Sequence, residues 1–184
     1  FGYEAAGVNR AEDVNAFGYQ TADSNLGSNV NALGWQSAFA NTQWGLNALG
    51  RKAARENEGW SVNAFGESAA EFNSGPFLNA FGYQTASHNF GENVNAMGQY
   101  TAVYNSGWSV NALGVYAAAY NGGPNLNAFG SSAAQSNQGE HVNAIGQSAC
   151  ANNYGSYVNA MGYEAANYNN GSDAVAIGQQ ALLG

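Results

Sequence analysis

The sequence contains few side chains that could act as nucleophiles or general bases. Cys150 is its one cysteine, and His88 and His141 are its two histidines. A cysteine beside a histidine could support nucleophilic catalysis, whereas a single cysteine excludes an internal disulfide and a thiolate metal cluster. Whether Cys150 can meet either histidine depends on the elements that carry them.

Acidic side chains outnumber basic ones, and neither kind forms a regular array. Twelve Asp and Glu against four Lys and Arg give a formal net charge of −8. So few cations cannot neutralise a run of phosphates, which argues against nucleic acid and anionic membranes as partners. Two acid pairs, Glu56 with Glu58 and Glu67 with Glu71, have the chemistry of glycoside hydrolysis. Neither pair recurs, so no acidic cleft is predicted.

The basic residues and the aspartates show no periodic spacing either. Arg51, Lys52 and Arg55 lie in one short segment, which we interpret as a solvated surface and not as a binding site. Calcium-binding repeats would need aspartate at a fixed position, whereas the three aspartates are Asp13, Asp23 and Asp173. We therefore expect no metal, no cofactor and no enzymatic activity.

A strict repeat of 16 residues determines how these side chains are placed. The motif Val/Leu-Asn-Ala-apolar-Gly begins at Val14 and returns every 16 residues up to Val158, and an altered copy begins at Ala174. We number the positions of each copy as slots 1 to 16. The chain is then one repeat domain, 1–184, with a partial first repeat (1–13), ten full repeats (14–173) and a partial last repeat (174–184). Because it does not begin with Met, we expect it to be a fragment of a longer fibrous protein.

The fixed slots predict an all-β fold, a β-solenoid of about eleven 16-residue coils. A helical repeat would need about 33 residues, whereas 16 suffice for two short strands and two turns. Slots 1 to 4 alternate like a strand, with Val/Leu and Ala on one face and Asn and a large apolar residue on the other. Gly at slot 5, and the Asn…Gly pair at slots 12 and 14, would supply the positive φ angles of tight turns. No run of 18 apolar residues is present, so no membrane span is predicted.

Asparagine occupies slots 2 and 12, which would place equivalent amides above one another in the stack. Two hydrogen-bonded ladders are then expected, because an unpaired buried amide costs about 1–3 kcal/mol. For slot 12, a turn residue in the left-handed conformation is an equal alternative. The slot 2 ladder consists of Asn15, Asn31, Asn47, Asn63, Asn79, Asn95, Asn111, Asn127, Asn143 and Asn159. The slot 12 ladder consists of Asn25, Asn41, Asn57, Asn73, Asn89, Asn105, Asn121, Asn137, Asn153 and Asn169.

The slots also separate the candidate reactive groups. Cys150 takes slot 9, which is otherwise nearly always Ala, so we predict a buried small residue. His88 (slot 11) and His141 (slot 16) cannot converge with each other or with Cys150, and we interpret both as solvated turn residues. No catalytic site is predicted.

Aromatic residues make up 13% of the chain, and many occupy variable slots. Rings in one slot, one or two coils apart, would lie about 5–10 Å apart, near stacking distance. One interpretation is a glycan-binding or adhesive stripe; the other, which we favour, is packing between chains or ring stacking that stiffens the rod. The candidate stripe consists of Trp35, Trp44, Trp60, Tyr104, Trp108 and Tyr120.

Each copy carries two apolar sets, slots 1 and 3 against slot 4, and only one set can fill a thin coil. The other would form a continuous exposed stripe, larger than the few hundred Å² that a soluble monomer tolerates. Packing of several copies around an axis would cover it. A monomer covered by other proteins is the alternative.

The last copy, Ala174-Val175-Ala176-Ile177-Gly178-Gln179-Gln180-Ala181-Leu182, resembles the Ser/Ala-Val-Ala-Ile-Gly-x-x-Ala unit of YadA-like trimeric adhesin heads. The internal copies, such as Gly18-Tyr19-Gln20-Thr21-Ala22-Asp23-Ser24-Asn25-Leu26-Gly27, are similar to repeats of bacterial surface proteins and phage tail fibres. The resemblance spans the chain and implies a left-handed parallel β-roll, a parallel homotrimer and a place outside the cell, on a cell surface or virion. Two departures are the longer period and Asn in place of an apolar residue at slot 2.

These patterns favour a non-catalytic structural and adhesive segment of an extracellular trimeric fibre, either a bacterial adhesin head or a phage tail fibre. Its partners would be further copies of itself and a glycan or protein receptor on a host surface. An alternative is a curli-like, self-stacking amyloid filament, because Asn-rich repeats with regular Gly also suit that state. A less favoured one is an ice-binding solenoid, through the slot 8 hydroxyls of Thr21, Ser37, Thr85 and Thr101.

Overall fold

Eleven short parallel strands, one per repeat, form a single sheet. The computed structural model describes residues 1–182, so the last two residues of the partial repeat 174–184 lie outside it. The strands are β1 (Val14–Phe17), β2 (Val30–Leu33), β3 (Leu46–Leu49), β4 (Val62–Phe65), β5 (Leu78–Phe81), β6 (Val94–Met97), β7 (Val110–Leu113), β8 (Leu126–Phe129), β9 (Val142–Ile145), β10 (Val158–Met161) and β11 (Val175–Ile177). They pair in sequence order, and equivalent residues lie opposite one another, as Val14 does Val30.

The predicted all-β solenoid is confirmed. It makes about ten turns with a 16-residue spacing, and residues 1–182 contain no helix. Nothing in that range could therefore serve as a membrane-spanning helix.

The interior is a thin layer between the strand wall and the wall opposite it. Slots 1 and 3 of the strands point inward, so that Leu78 and Ala80 are completely buried. Slots 8 and 9 of the opposite wall are also buried, as at Thr85 and Ala86. Small residues are required there because two walls only one side chain apart leave no space for larger ones.

The opposite wall is made of turns, so the predicted second strand is wrong. Slots 7, 9 and 11 adopt the left-handed conformation, with φ of +50° at Gln84, +51° at Ala86 and +56° at His88. Each of these residues costs about 1–2 kcal/mol in strain. The strain is offset by hydrogen bonds between coils: the N–H of Gln84 donates to Glu67 O at 2.8 Å, and that of Ala86 to Thr101 O at 2.8 Å.

Glycine is required at slots 5 and 14 for two different reasons. Gly82, at slot 5, has a φ of +137°, and a Cβ there would overlap the carbonyl of Gly98. Gly91, at slot 14, is not in the left-handed region, but a Cβ there would overlap the carbonyl of Gly107. The positive-φ explanation is therefore correct for slot 5 and wrong for slot 14, where close approach of the next coil excludes a side chain.

Candidate interaction surfaces

The slot 2 asparagines form an uninterrupted ladder on the outer face of the sheet. From Asn15 to Asn159, each Nδ2 donates to the Oδ1 of the next copy, with N···O distances of 2.7–3.0 Å. The side chains are exposed or half-buried. The ladder ends at Asn159 because Val175 takes slot 2 of the next copy.

The slot 12 asparagines form a second ladder, which is buried and runs in the opposite direction. Asn105 Nδ2 donates to Oδ1 of the preceding Asn89 at 2.9 Å and to the carbonyl of Gly107 at 2.8 Å. Its Oδ1 accepts from Asn121 at 2.8 Å. None of these asparagines has a positive φ. The ladder prediction is confirmed for slot 12, and the left-handed alternative is wrong.

Large apolar side chains line the outer face of the sheet beside the slot 2 ladder. We call them the apolar column; its members, all in slot 4, are Phe17, Leu33, Leu49, Phe65, Phe81, Met97, Leu113, Phe129, Ile145, Met161 and Ile177. Ten of them are exposed, from 37% for Phe81 to 72% for Ile177. Column and ladder together form what we call the open sheet face.

Three shallow cavities lie end to end along the open sheet face. Their volumes are about 310, 570 and 340 Å³. The largest is bounded by Phe81 and Phe129, with Met97 and Leu113 between them. The expected second apolar set is thus confirmed as a continuous exposed stripe.

Most aromatic pairs outside the sheet stack within one slot, whereas Trp60 with Phe77 and Tyr83 with Tyr100 make edge contacts between neighbouring slots. The longest column, in slot 11, consists of Phe72, His88, Tyr104 and Tyr120, with successive centroid distances of 4.9, 4.6 and 5.5 Å. Stacking covers the ring faces and leaves the edges outward. The column therefore adds contact between coils and offers a ligand little ring face.

The six residues of the candidate aromatic stripe lie in three different slots. Trp44 and Trp60 stack at 5.3 Å in slot 15, and Tyr104 and Tyr120 stack in slot 11. Trp108 also takes slot 15 but lies three coils beyond Trp60. Trp35, in slot 6, lies under the cations of Arg51 and Lys52, at 5.7 and 5.6 Å.

The two arginines of the basic segment form ion pairs with nearby acids. Arg51 forms an ion pair with Glu67. Arg55 lies 2.6 Å from Glu71 and 3.0 Å from Glu56. The two arginines therefore bind protein carboxylates, whereas Lys52 lies over the ring of Trp35.

The three candidate reactive groups lie apart, in different environments. Cys150 is buried, and burial raises the pKa of its thiol to about 12. His141 is exposed and stacks on Tyr157 at 4.9 Å, as a surface turn residue. His88 also lies in a turn, but it is half-buried between Phe72 and Tyr104 and therefore only partly solvated.

The slot 8 hydroxyls point into the solenoid. Thr21, Ser37, Thr85 and Thr101 are completely buried. Ser37 Oγ, for example, donates to the carbonyl of Ala48 at 2.8 Å. An exposed hydroxyl ladder for ice binding is therefore wrong at this slot.

Sequence reasoning missed a short groove between slots 11 and 13. Phe90, at slot 13, is 63% exposed. The groove beside it has a volume of about 250 Å³ and is lined by Glu56, Glu58, Phe72 and His88. The sequence could have indicated this groove, because the slot 13 residues of the coils on either side of Phe90, Ser74 and Ser106, are small and leave space beside the ring.

No protein-family model matches the chain, and neither a curated protein nor a solved structure matches it. Between residues 1 and 182, no three His, Cys, Asp or Glu side chains are grouped so that they could hold a metal ion. The open sheet face and the two asparagine ladders are therefore the features that bear on function.

Proposed function

We propose that this chain is a non-catalytic structural and adhesive segment of an extracellular fibre, in which copies pack side by side as a homotrimer. The observation that carries the proposal is the open sheet face, with ten exposed members of the apolar column. Burial of such side chains against another copy contributes about 25 cal/mol per Å². An adhesin head or a tail fibre uses an assembly of this kind, and the resemblance of the repeats supports both.

The size of the open sheet face is sufficient for a stable interface. Eleven coils at about 4.8 Å and a strand width of about 13 Å give an area of about 700 Å². A standard interface buries about 800 Å² on each partner. The face is therefore about as large as one side of an ordinary two-chain interface, and in a trimer it would be shared between two neighbouring copies.

Stiffness is the second property that suits a fibre. Both asparagine ladders and the bonds between coils run along the long axis, as in Asn95 Nδ2 to Asn111 Oδ1 at 2.9 Å. The ring columns add contacts in the same direction. Meanwhile the variable slots can change without altering the coil, which leaves the surface available for attachment.

The oligomeric state tests this proposal. We expect sedimentation equilibrium to give a trimer for the wild-type chain and a monomer for the double variant Met97→Lys/Leu113→Lys. The matched control is Val115→Lys: Val115 is 41% exposed, against 47% for Leu113, but lies outside the open sheet face. A monomeric wild-type chain at high concentration, or an unchanged trimer in the double variant, would contradict the proposal.

A curli-like filament is the second candidate, and the in-register stacking of like residues favours it. Parallel pairing of Asn95 with Asn111 and of Phe65 with Phe81 has the geometry of cross-β assemblies. Such a filament would grow end to end without a fixed mass and would seed further growth. A trimer of constant mass in the same sedimentation experiment would exclude it.

A further inference from the structure

Phe90 differs from the stacked aromatic residues because its ring faces are not covered by rings above and below. Tyr104 lies between His88 at 4.6 Å and Tyr120 at 5.5 Å. Phe90 has only Ser74 and Ser106 in its slot on the adjacent coils. A large, exposed ring with an accessible face can stack on a ligand.

Hydrogen-bond acceptors lie across the groove from Phe90. Glu56 and Glu58 occupy slots 11 and 13 of one coil, and both are exposed. Glu56 is paired with Arg55 at 3.0 Å. Glu58 has no ion-pair partner among residues 1–182. The groove therefore combines an apolar ring face with carboxylate oxygens that can accept hydrogen bonds from hydroxyl groups.

We propose that this groove binds a neutral pyranose sugar unit. The C–H face of the sugar packs on Phe90, and its hydroxyls donate to the carboxylates of Glu56 and Glu58. The inference rests on the proposed attachment role and names the class of ligand for it. A volume of about 250 Å³, below the roughly 300–1,000 Å³ of drug-sized sites, suits a single sugar ring.

Charge determines which sugars the groove accepts. The chain carries a net charge of −8, and two carboxylates lie at the groove itself. Uronic and sialic acids would place a like charge beside Glu56 and Glu58, which opposes binding. The expected ligand is therefore an uncharged hexose or N-acetylhexosamine unit at the surface of a larger glycan.

The groove and the open sheet face have no lining residue in common. The groove lies at slots 11 to 13, whereas the face consists of slots 2 and 4. Covering the face with further copies therefore leaves the groove accessible. Sugar binding and association can be measured on the same sample by independent methods.

Saturation-transfer NMR and calorimetry on the whole chain test the inference, with cellotetraose, maltotetraose and chitotetraose as neutral probes and tetragalacturonate as the anionic one. We expect at least one neutral probe to bind with a Kd in the millimolar range, as befits one small site. Phe90→Ala should weaken binding at least tenfold, and Glu58→Gln several-fold. Tyr154→Ala is the matched control, because Tyr154 shares slot 13 and is 64% exposed but lies outside the groove.

Three results would overturn the inference: no binding of any neutral probe, equal or tighter binding of tetragalacturonate, or equal losses in the Phe90 and Tyr154 variants. Because Phe90 is on the surface, circular dichroism should show that Phe90→Ala keeps the fold. If the sugar-binding test fails, the sedimentation result on the Met97/Leu113 variant still decides the proposal of a trimer. The two proposals can therefore fail separately.

Discussion

Asparagine has two different roles at the scale of single residues. In slot 2 the amides are exposed or half-buried, and water can replace a lost partner. In slot 12 they are buried and satisfy the backbone as well, as Asn105 does with the carbonyl of Gly107. The same residue type at the same spacing therefore contributes unequally to stability.

Asn105→Ala should lower the free energy of unfolding by about 2–4 kcal/mol, because it leaves Asn89 Oδ1, Asn121 Nδ2 and the Gly107 carbonyl each short of a buried hydrogen bond. Asn95→Ala, the control in the exposed ladder, should cost about 1 kcal/mol or less. Urea unfolding at constant m-value measures both. Equal losses of unfolding free energy in the two variants would show that the buried ladder does not contribute more to stability than the exposed one.

Cys150 should make stability depend on pH in the alkaline range. Its pKa is raised to about 12 in the folded chain, against about 8.5 when unfolded. The folded state therefore retains the proton that the unfolded state loses. The resulting stability is complete below about pH 8.5 and falls by up to about 1.4 kcal/mol per pH unit as the pH rises towards 12.

The matched control for that pH dependence is Cys150→Ala, since alanine fills slot 9 in neighbouring copies such as Ala134 and Ala166. Urea unfolding of both chains at pH 8 and pH 10 gives the difference. Both chains contain the same tyrosines, so any effect of tyrosine titration on stability cancels in the difference between them. If the two chains lose stability in parallel, the thiol is not the cause.

At the scale of the element, the strand was predictable and the opposite wall was not. Alternation in slots 1 to 4 matches the period of a strand, and β1 to β11 occupy those slots. Slots 6 to 11 mix Ala, polar and aromatic residues with no strand alternation, and the left-handed conformation at Ala86 or Gln84 has no local sequence signal. It is imposed by hydrogen bonds to adjacent coils, which a single copy of the repeat does not reveal.

The candidate surfaces could also be predicted only in part from the sequence. The apolar column could be predicted because each copy has two apolar sets, slots 1 and 3 and slot 4, and the thin interior can hold only one of them. The aromatic slots could be read from the sequence, but Trp35 and Trp60 lie in different slots and contact different neighbours. Whether a ring shows its face or its edge depends on side-chain direction and on the coil above it, as the contrast of Phe90 with Tyr104 demonstrates.

The turn at slot 15 should accept proline at further copies. Pro76 and Pro124 both take this slot, and the N–H of Glu140 in the same slot bonds only to the hydroxyl of Ser156. Glu92→Pro, which also follows a glycine, should therefore change the melting temperature little. Circular dichroism during heating measures this change.

The control for that substitution is Asn93→Pro, one residue further along the same turn. The N–H of Asn93 donates to Pro76 O at 3.2 Å, and its φ is +56°, which proline cannot adopt. A loss of about 3 kcal/mol or more is expected. Similar melting of the two variants would be evidence against the turn geometry.

For the whole molecule, stability should be a sum over coils and the contacts between neighbouring coils. Deleting residues 94–109 removes one full copy and brings Asn79 against Asn111 in register. We expect the shortened chain to fold with the same β spectrum and an m-value lower by roughly a tenth, since m follows the surface exposed on unfolding.

Deletion of residues 94–101 is the matched test, because it removes half a copy. Every later residue would then be shifted by eight slots, so that Asn105 would take an apolar slot 4 position and Leu113 a position in the buried slot 12 ladder. We expect loss of the cooperative transition in circular dichroism. A chain that tolerates both deletions equally would not be held together by 16-residue register.

The two amide rows point in opposite directions along the rod: in slot 2 each donor faces the following coil, as from Asn95 to Asn111, and in slot 12 the preceding one, as from Asn105 to Asn89. Side-chain amides are dipoles, so these rows largely cancel. An α-helix, by contrast, has all its peptide dipoles aligned and carries partial charges at its ends. Adding coils would therefore build up no comparable charge separation between the tips, and the dipoles of the amide rows would set no limit on how long such an array can become.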